Sequence, residues 1–116
     1  MKSLATITDK DIEIIKMALN DSISDMNIEL KGNISDKKKE EIREYKNKYN
    51  MVLDKLGKNP SIYALGDYEL DIAAGGLNDA IELLDENTTD DLSEQEKNDI
   101  LAYKNDCLRL VDILAG

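Results

Sequence analysis

The sequence predicts an all-α protein: a four-helix bundle built from two tandem-duplicated antiparallel helical hairpins with pseudo-two-fold symmetry. Three observations carry this expectation. Apolar residues recur at three- and four-residue spacing, the repeat of one face of an α-helix. No segment alternates with the period of two that marks a half-buried strand. The chain also aligns on itself without gaps at an offset of about 58 residues, half its 116-residue length. In that alignment Asp9 meets Asp67, Ile14 meets Ile72, and Leu19-Asn20-Asp21 meets Leu77-Asn78-Asp79. Ser35 meets Ser93, Tyr45-Lys46-Asn47 meets Tyr103-Lys104-Asn105, and Leu56 meets Leu114. A single domain is expected, with residues 1–58 as the first repeat and 59–116 as the second.

The first helix is predicted over about residues 9–30, with Ile12, Ile15, Leu19, Ile23, Met26 and Leu30 on one face. Thr8 supplies an N-cap and Asp11 stands at the capping-box position. Gly32-Asn33 interrupts the pattern, and Ser35 caps a second helix over about 35–56, preceded by Ile34 as half of a hydrophobic staple. Ile42, Tyr45, Tyr49, Val52 and Leu56 form its stripe; Gly57 is expected to stop it, with Asn59-Pro60 preventing its resumption. A third helix is expected over about 67–86, with Ala73, Leu77, Ile81 and Leu84 inward. Ser93 starts the fourth, about 93–114, lined by Ile100, Tyr103, Cys107, Leu110 and Leu114. One hairpin cannot bury its own stripe, so two packed face to face are the expected solution.

Antiparallel pairing within each hairpin predicts ion pairs Asp21–Lys46 and Asp79–Lys104. Tyr45 and Tyr103, on the seams, are expected as core rings with edge-reaching hydroxyls. Ala73-Ala74-Gly75-Gly76 replaces Ile15-Lys16-Met17-Ala18. Two glycines inside a helix weaken it, so they are expected to serve close approach of a neighbour or a local kink; the functional alternative is a groove admitting a partner side chain.

The chain carries a net charge of −10, unevenly divided. Residues 1–58 hold 12 Lys and Arg against 11 Asp and Glu, and residues 59–116 hold 3 against 14. Direct nucleic-acid binding through a basic patch is not expected. Stability gives little reason to concentrate like charge, so the acidic second hairpin is the strongest functional sign. Asp85, Glu86, Asp90, Asp91, Glu94, Glu96 and Asp99 are the expected partner-binding residues, gathered at one helix–helix corner. Residues 85–96 also resemble a twelve-residue calcium loop, with Asp85, Asn87, Thr89, Ser93 and Glu96 at ligand positions, although Asp90 replaces the glycine of the sharp turn.

Enzyme chemistry is not expected. There is no His, which removes the commonest general base, and Cys107 lies on an apolar seam. No cofactor or metal is expected. One Cys, no secretory leader and no membrane span fit a cytoplasmic protein. The expected function is a non-enzymatic, acidic protein-binding module that inhibits or regulates a basic partner, such as a nuclease or nucleic-acid-binding protein. Immunity proteins and phage-encoded inhibitors work in this manner. The alternatives are a helical immunity or accessory protein acting on a cationic peptide or near a membrane, a calcium-responsive bundle, and a structural or homo-oligomerising protein.

Overall fold

The computed structural model of the protein describes residues 4–115. Four helices, α1 (Asp9–Leu30), α2 (Asp36–Lys58), α3 (Asp67–Asn87) and α4 (Glu94–Ala115), form an all-α four-helix bundle. Short 3₁₀ turns at Leu4–Thr6 and Ile62–Ala64 precede α1 and α3. Ile62, Asp67 and Glu94 open their elements 58 residues after Leu4, Asp9 and Asp36. No helix among the described residues is long and apolar enough to cross a membrane.

Local chemistry explains where the helices begin. The Thr8 hydroxyl accepts from Asp11 N at 3.1 Å, and Thr8 N donates back to the Asp11 carboxylate at 3.0 Å, closing a capping box. Ser35 accepts from Lys38 N at 3.2 Å. Gly66 offers no side chain at the start of α3, yet its N–H donates to Glu69 at 2.8 Å, half of the same device. Ser93 and Glu96 form the reciprocal pair at α4, at 3.1 and 3.4 Å. The expected stop at Gly57 is corrected: α2 runs through it to Lys58, and Asn59 turns extended (φ −143°, ψ 98°). Pro60 is the cause, because the proline ring crowds the preceding residue out of the helical region.

The bundle measures 43 × 38 × 25 Å, about two helix layers thick. Its centre is the α1–α3 pair; α2 and α4 occupy the far corners, each packing on both central helices. Ile15, Leu19, Val52, Leu56, Leu77, Cys107 and Leu110 are fully buried, and each aliphatic member contributes roughly 1.5–3 kcal/mol of transfer free energy. The buried stripes on α1 and α3 are wider than the sequence pattern suggests. Ile14, Ala18 and Ser22, and Leu70, Ile72, Ala74, Gly76 and Ala80, are also buried, since neighbours cover the central helices from both sides.

At the crossing of α1 and α3 the backbones nearly touch. The Ser22 hydroxyl donates to the Gly76 carbonyl at 3.2 Å, and a Cβ on Gly76 would collide with Leu19 Cδ2. Close approach therefore accounts for Gly76.

The ion pairs expected within each hairpin are corrected. Lys104 binds Asp85 at 2.6 Å, not Asp79. Asp79 accepts from the Tyr49 hydroxyl at 2.6 Å, and Asp21 accepts from Tyr103 at 3.4 Å. Both partners come from the other hairpin, because α1 and α3 sit between α2 and α4 and present these carboxylates to the far corners. The acidic N-terminal residues follow the same rule: Asp11 on α1 takes Arg109 of α4 (2.6 Å), and Glu69 on α3 takes Lys55 of α2. Tyr45 is also corrected. It is 55% exposed, and Tyr49, one turn later, fills the core position at 4%.

Candidate functional site

Where the C-terminal half of α1, the N-terminal half of α2 and the C-terminal half of α3 diverge, they leave a cleft of about 600 Å³. Met26, Ile42, Tyr49, Gly75 and Leu83 contribute buried or half-buried surface to it. Glu29, Glu41, Glu82, Glu86 and Lys38 contribute exposed side chains, with Asp25 and Asp79 between the two levels. The cleft thus has a largely apolar floor and a charged rim. Six of its lining residues are carboxylates, against Lys38 as the basic member.

The electrostatics follow from this crowding. Burial raises the Asp79 carboxyl above its ordinary value; the Tyr49 hydrogen bond opposes the shift, and the charges of Glu82 and Asp25 add to it. Burial, and then the Asp79 carboxylate, push the Tyr49 hydroxyl up, so it remains a donor at any physiological pH. Tyr45 stands on the cleft wall with its ring edge-on to Tyr49, 6.5 Å between centroids. Lys48 Nζ lies 5.1 Å from the Tyr45 ring centre, a cation–π contact.

Gly75 is the unusual residue of this site. Unlike Gly76, it faces no close neighbour: a Cβ there would meet only the Tyr49 hydroxyl at 3.6 Å, an ordinary contact. An alanine would fit and would favour the helix by roughly 1 kcal/mol.

The residues expected to bind a partner lie elsewhere, at the α3–α4 corner. Asp85 and Glu86 end α3, Asp90 and Asp91 lie in the connection, and Glu94, Glu96 and Asp99 occupy the first turns of α4. All seven are exposed. Asp85 is neutralised by Lys104, and Glu96 is engaged at the α4 cap. Glu86, Asp90, Asp91, Glu94 and Asp99 have no cation beside them among the described residues. Glu86 belongs to both regions and joins the corner to the cleft rim.

The calcium-loop positions do not surround a common centre. Asp85 and Asn87 are helical, and the Asn87 amide donates to Leu83 O at 2.7 Å. Thr89 donates to Asp91, and Ser93 caps α4. Among the described residues no group of three or more Asp, Glu, Cys or His side chains is gathered as a metal site would require. Cys107 is fully buried, and burial pushes its thiol up to about 11, away from the thiolate that nucleophilic chemistry needs.

Sequence reasoning missed the cleft carboxylates Asp25, Glu29, Glu41 and Glu82 as a group, and took Asp79 only as an ion-pair partner. The signal was present in the spacing. Asp25 and Glu29 are four apart, and Asp79, Glu82 and Glu86 follow at three and four, which places each set on one helix face. No family model matches the chain, and no curated protein or solved structure matches it with significance.

Proposed function

We propose that this protein is a non-enzymatic binding module for a basic protein partner, such as a nuclease or a nucleic-acid-binding protein, which it inhibits or regulates. The observation that carries the proposal is a run of exposed and half-exposed carboxylates that outnumber the cations among them, Lys38 at the cleft rim and Lys104 at Asp85, and most of which have no ion-pair partner among the described residues. It starts at the cleft carboxylates Asp25, Asp79 and Glu82, passes through Glu86, and reaches Asp90, Asp91, Glu94 and Asp99 at the corner. Clustered carboxylates repel one another and destabilise the fold, whereas a Lys- or Arg-rich face would relieve that repulsion and associate quickly under electrostatic steering.

The frame beneath this surface is best explained as a tandem duplication with an approximate two-fold relation. The 58-residue interval between element starts supports it, as do the crosswise contacts: Asp11–Arg109 and Asp21–Tyr103 on one side, Glu69–Lys55 and Asp79–Tyr49 on the other. The two halves are not equal. Arg109 and Tyr103 match Met51 and Tyr45 in the alignment, but the working residues of α2 are Lys55 and Tyr49, each four positions later. In this scheme α2 engages α3 about one helical turn out of step with the way α4 engages α1, four residues or about 6 Å.

Affinity purification from the native host identifies the partner, and titration of the purified pair tests the proposal. A variant carrying Asp90→Lys, Asp91→Lys and Glu94→Lys should bind more weakly by about tenfold or more and lose much of its salt dependence. A partner with no basic face, or an affinity unmoved by the three reversals, would sink the proposal.

A further inference from the structure

We infer that the cleft between α1, α2 and α3 is the docking groove for a basic amphipathic segment of the protein partner, with an apolar side chain on the Met26–Leu83 floor and flanking arginines against the carboxylate rim. This assignment rests on the basic-partner role and adds an anchor to it, since exposed charge alone steers a partner without fixing where it sits.

Gly75 provides the independent reason. Packing requires glycine at 76 but not at 75, where a Cβ has ordinary room beneath the Tyr49 hydroxyl. The helix is weakened there with no structural return, and the consequence of the missing side chain is open space in the cleft wall. The displacement of Tyr45 acts in the same direction. With Tyr49 bound to Asp79, Tyr45 is left outside the core on the cleft wall.

Volume and chemistry select the occupant. About 600 Å³ is the size of a ligand pocket rather than of an ion site, and it accommodates several side chains of a peptide. The carboxylate rim repels nucleic acid and acidic peptides. Arginine suits it better than lysine, because its planar fork can meet two carboxylates at once and its weak hydration lowers the cost of entry. The apolar floor requires more than charge, and a leucine-sized side chain flanked by arginines satisfies both levels.

The test uses the full chain and a short synthetic peptide with a central leucine between arginines, followed by NMR at low ionic strength. Binding should move the amides of Tyr45, Gly75, Asn78 and Asp79. Replacing the leucine by serine, or the arginines by the neutral isostere citrulline, should each weaken binding by about tenfold. Gly75→Leu should fill the groove and weaken binding to a similar extent, while Gly75→Ala, a folded control, should change it little. Should Gly75→Leu fail to fold, the isosteric pair Asp25→Asn and Glu82→Gln removes rim charge without altering shape and should weaken binding likewise. Shifts confined to Asp90–Asp99, or undiminished binding by a folded Gly75→Leu, would overturn the groove and leave the basic-partner role standing. Absence of any binding at low ionic strength would overturn both.

Discussion

Gly75 and Gly76 are neighbours in α3 with opposite roles, and a methyl group distinguishes them. At Gly76 it would strike Leu19 across the α1–α3 crossing. Gly76→Ala should therefore destabilise the protein by about 1–3 kcal/mol through overpacking. Gly75→Ala meets only an ordinary contact and should stabilise by about 1 kcal/mol, the helix-propensity difference. Urea-denaturation midpoints of the two variants should move in opposite directions. Asp79 makes a second prediction at this scale. Its folded-state value lies above the ordinary 3.8, so the native state holds the proton more tightly than the unfolded chain does. Stability then falls as pH rises from about 3.8 through the raised value, and stays reduced at neutral pH. Asp79→Asn keeps an acceptor for Tyr49, removes a desolvated charge, and with it the repulsion from Glu82 and Asp25. It should melt higher than the parent at pH 7, and the difference should vanish at acid pH. A lower melting point at pH 7 would contradict the origin assigned to the shift.

Among the elements, the N-termini of α1 and α3 are tied to helices of the other hairpin by acidic residues that also complete their caps. Asp11 is 4% exposed, accepts from Thr8 N, and takes two guanidinium nitrogens of Arg109, at 2.6 and 3.4 Å. The Arg109 hydrogen bond is the main reason its carboxyl lies below the ordinary value, with Thr8 adding to it and burial opposing. Asp11→Asn should cost about 2 kcal/mol, combining a weakened cap with the loss of an ion pair whose carboxylate is buried and whose guanidinium is half-exposed. For a depressed acid the sign is the reverse of that for Asp79. The stabilisation is complete above the ordinary 3.8 and is lost as pH falls through the lowered folded value, so parent and variant should converge only in strong acid. Chemical denaturation at neutral pH checks the size, and a pH series carried down into strong acid checks the convergence. The helix boundaries themselves were largely legible beforehand, because Thr8, Ser35 and Ser93 are strong local caps. The end of α2 was not, since Gly57 and Pro60 compete as terminators and the proline's steric constraint acts on Asn59.

For the whole molecule, the governing quantity is charge. The net −10 of the chain arises in residues 59–116, which hold 14 acidic side chains against 3 basic ones, while residues 1–58 are close to neutral. Self-repulsion of exposed carboxylates is screened by salt over a length of about 10 Å at 0.1 M. The thermal midpoint should therefore rise with sodium chloride between about 0.01 and 0.2 M, by about 4 °C if 1 kcal/mol of repulsion is relieved. Neutralising Asp90, Asp91 and Glu94 to their amides should flatten that rise. A salt-independent midpoint would mean that the acidic surface imposes no strain for a partner to relieve.

Apolar spacing, three hydroxyl caps and the two-fold recurrence of Leu19-Asn20-Asp21 and Tyr45-Lys46-Asn47 determined the helical class, four helices and their approximate limits. Those signals are local, or repeat along the chain, so one dimension is enough to read them. The corner carboxylates were also legible, because seven acids within fifteen residues need no fold to lie near one another. Only the tertiary structure decided that α1 and α3 form the centre, that Asp79 binds Tyr49 rather than Lys104, and that Gly75 lines a cleft while Gly76 lies at a close crossing. The physical reason is register. Which turn of α2 lies against α3 depends on how whole side-chain surfaces interlock, and a shift of four residues leaves the helical pattern unchanged while exchanging Tyr45 for Tyr49 in the core.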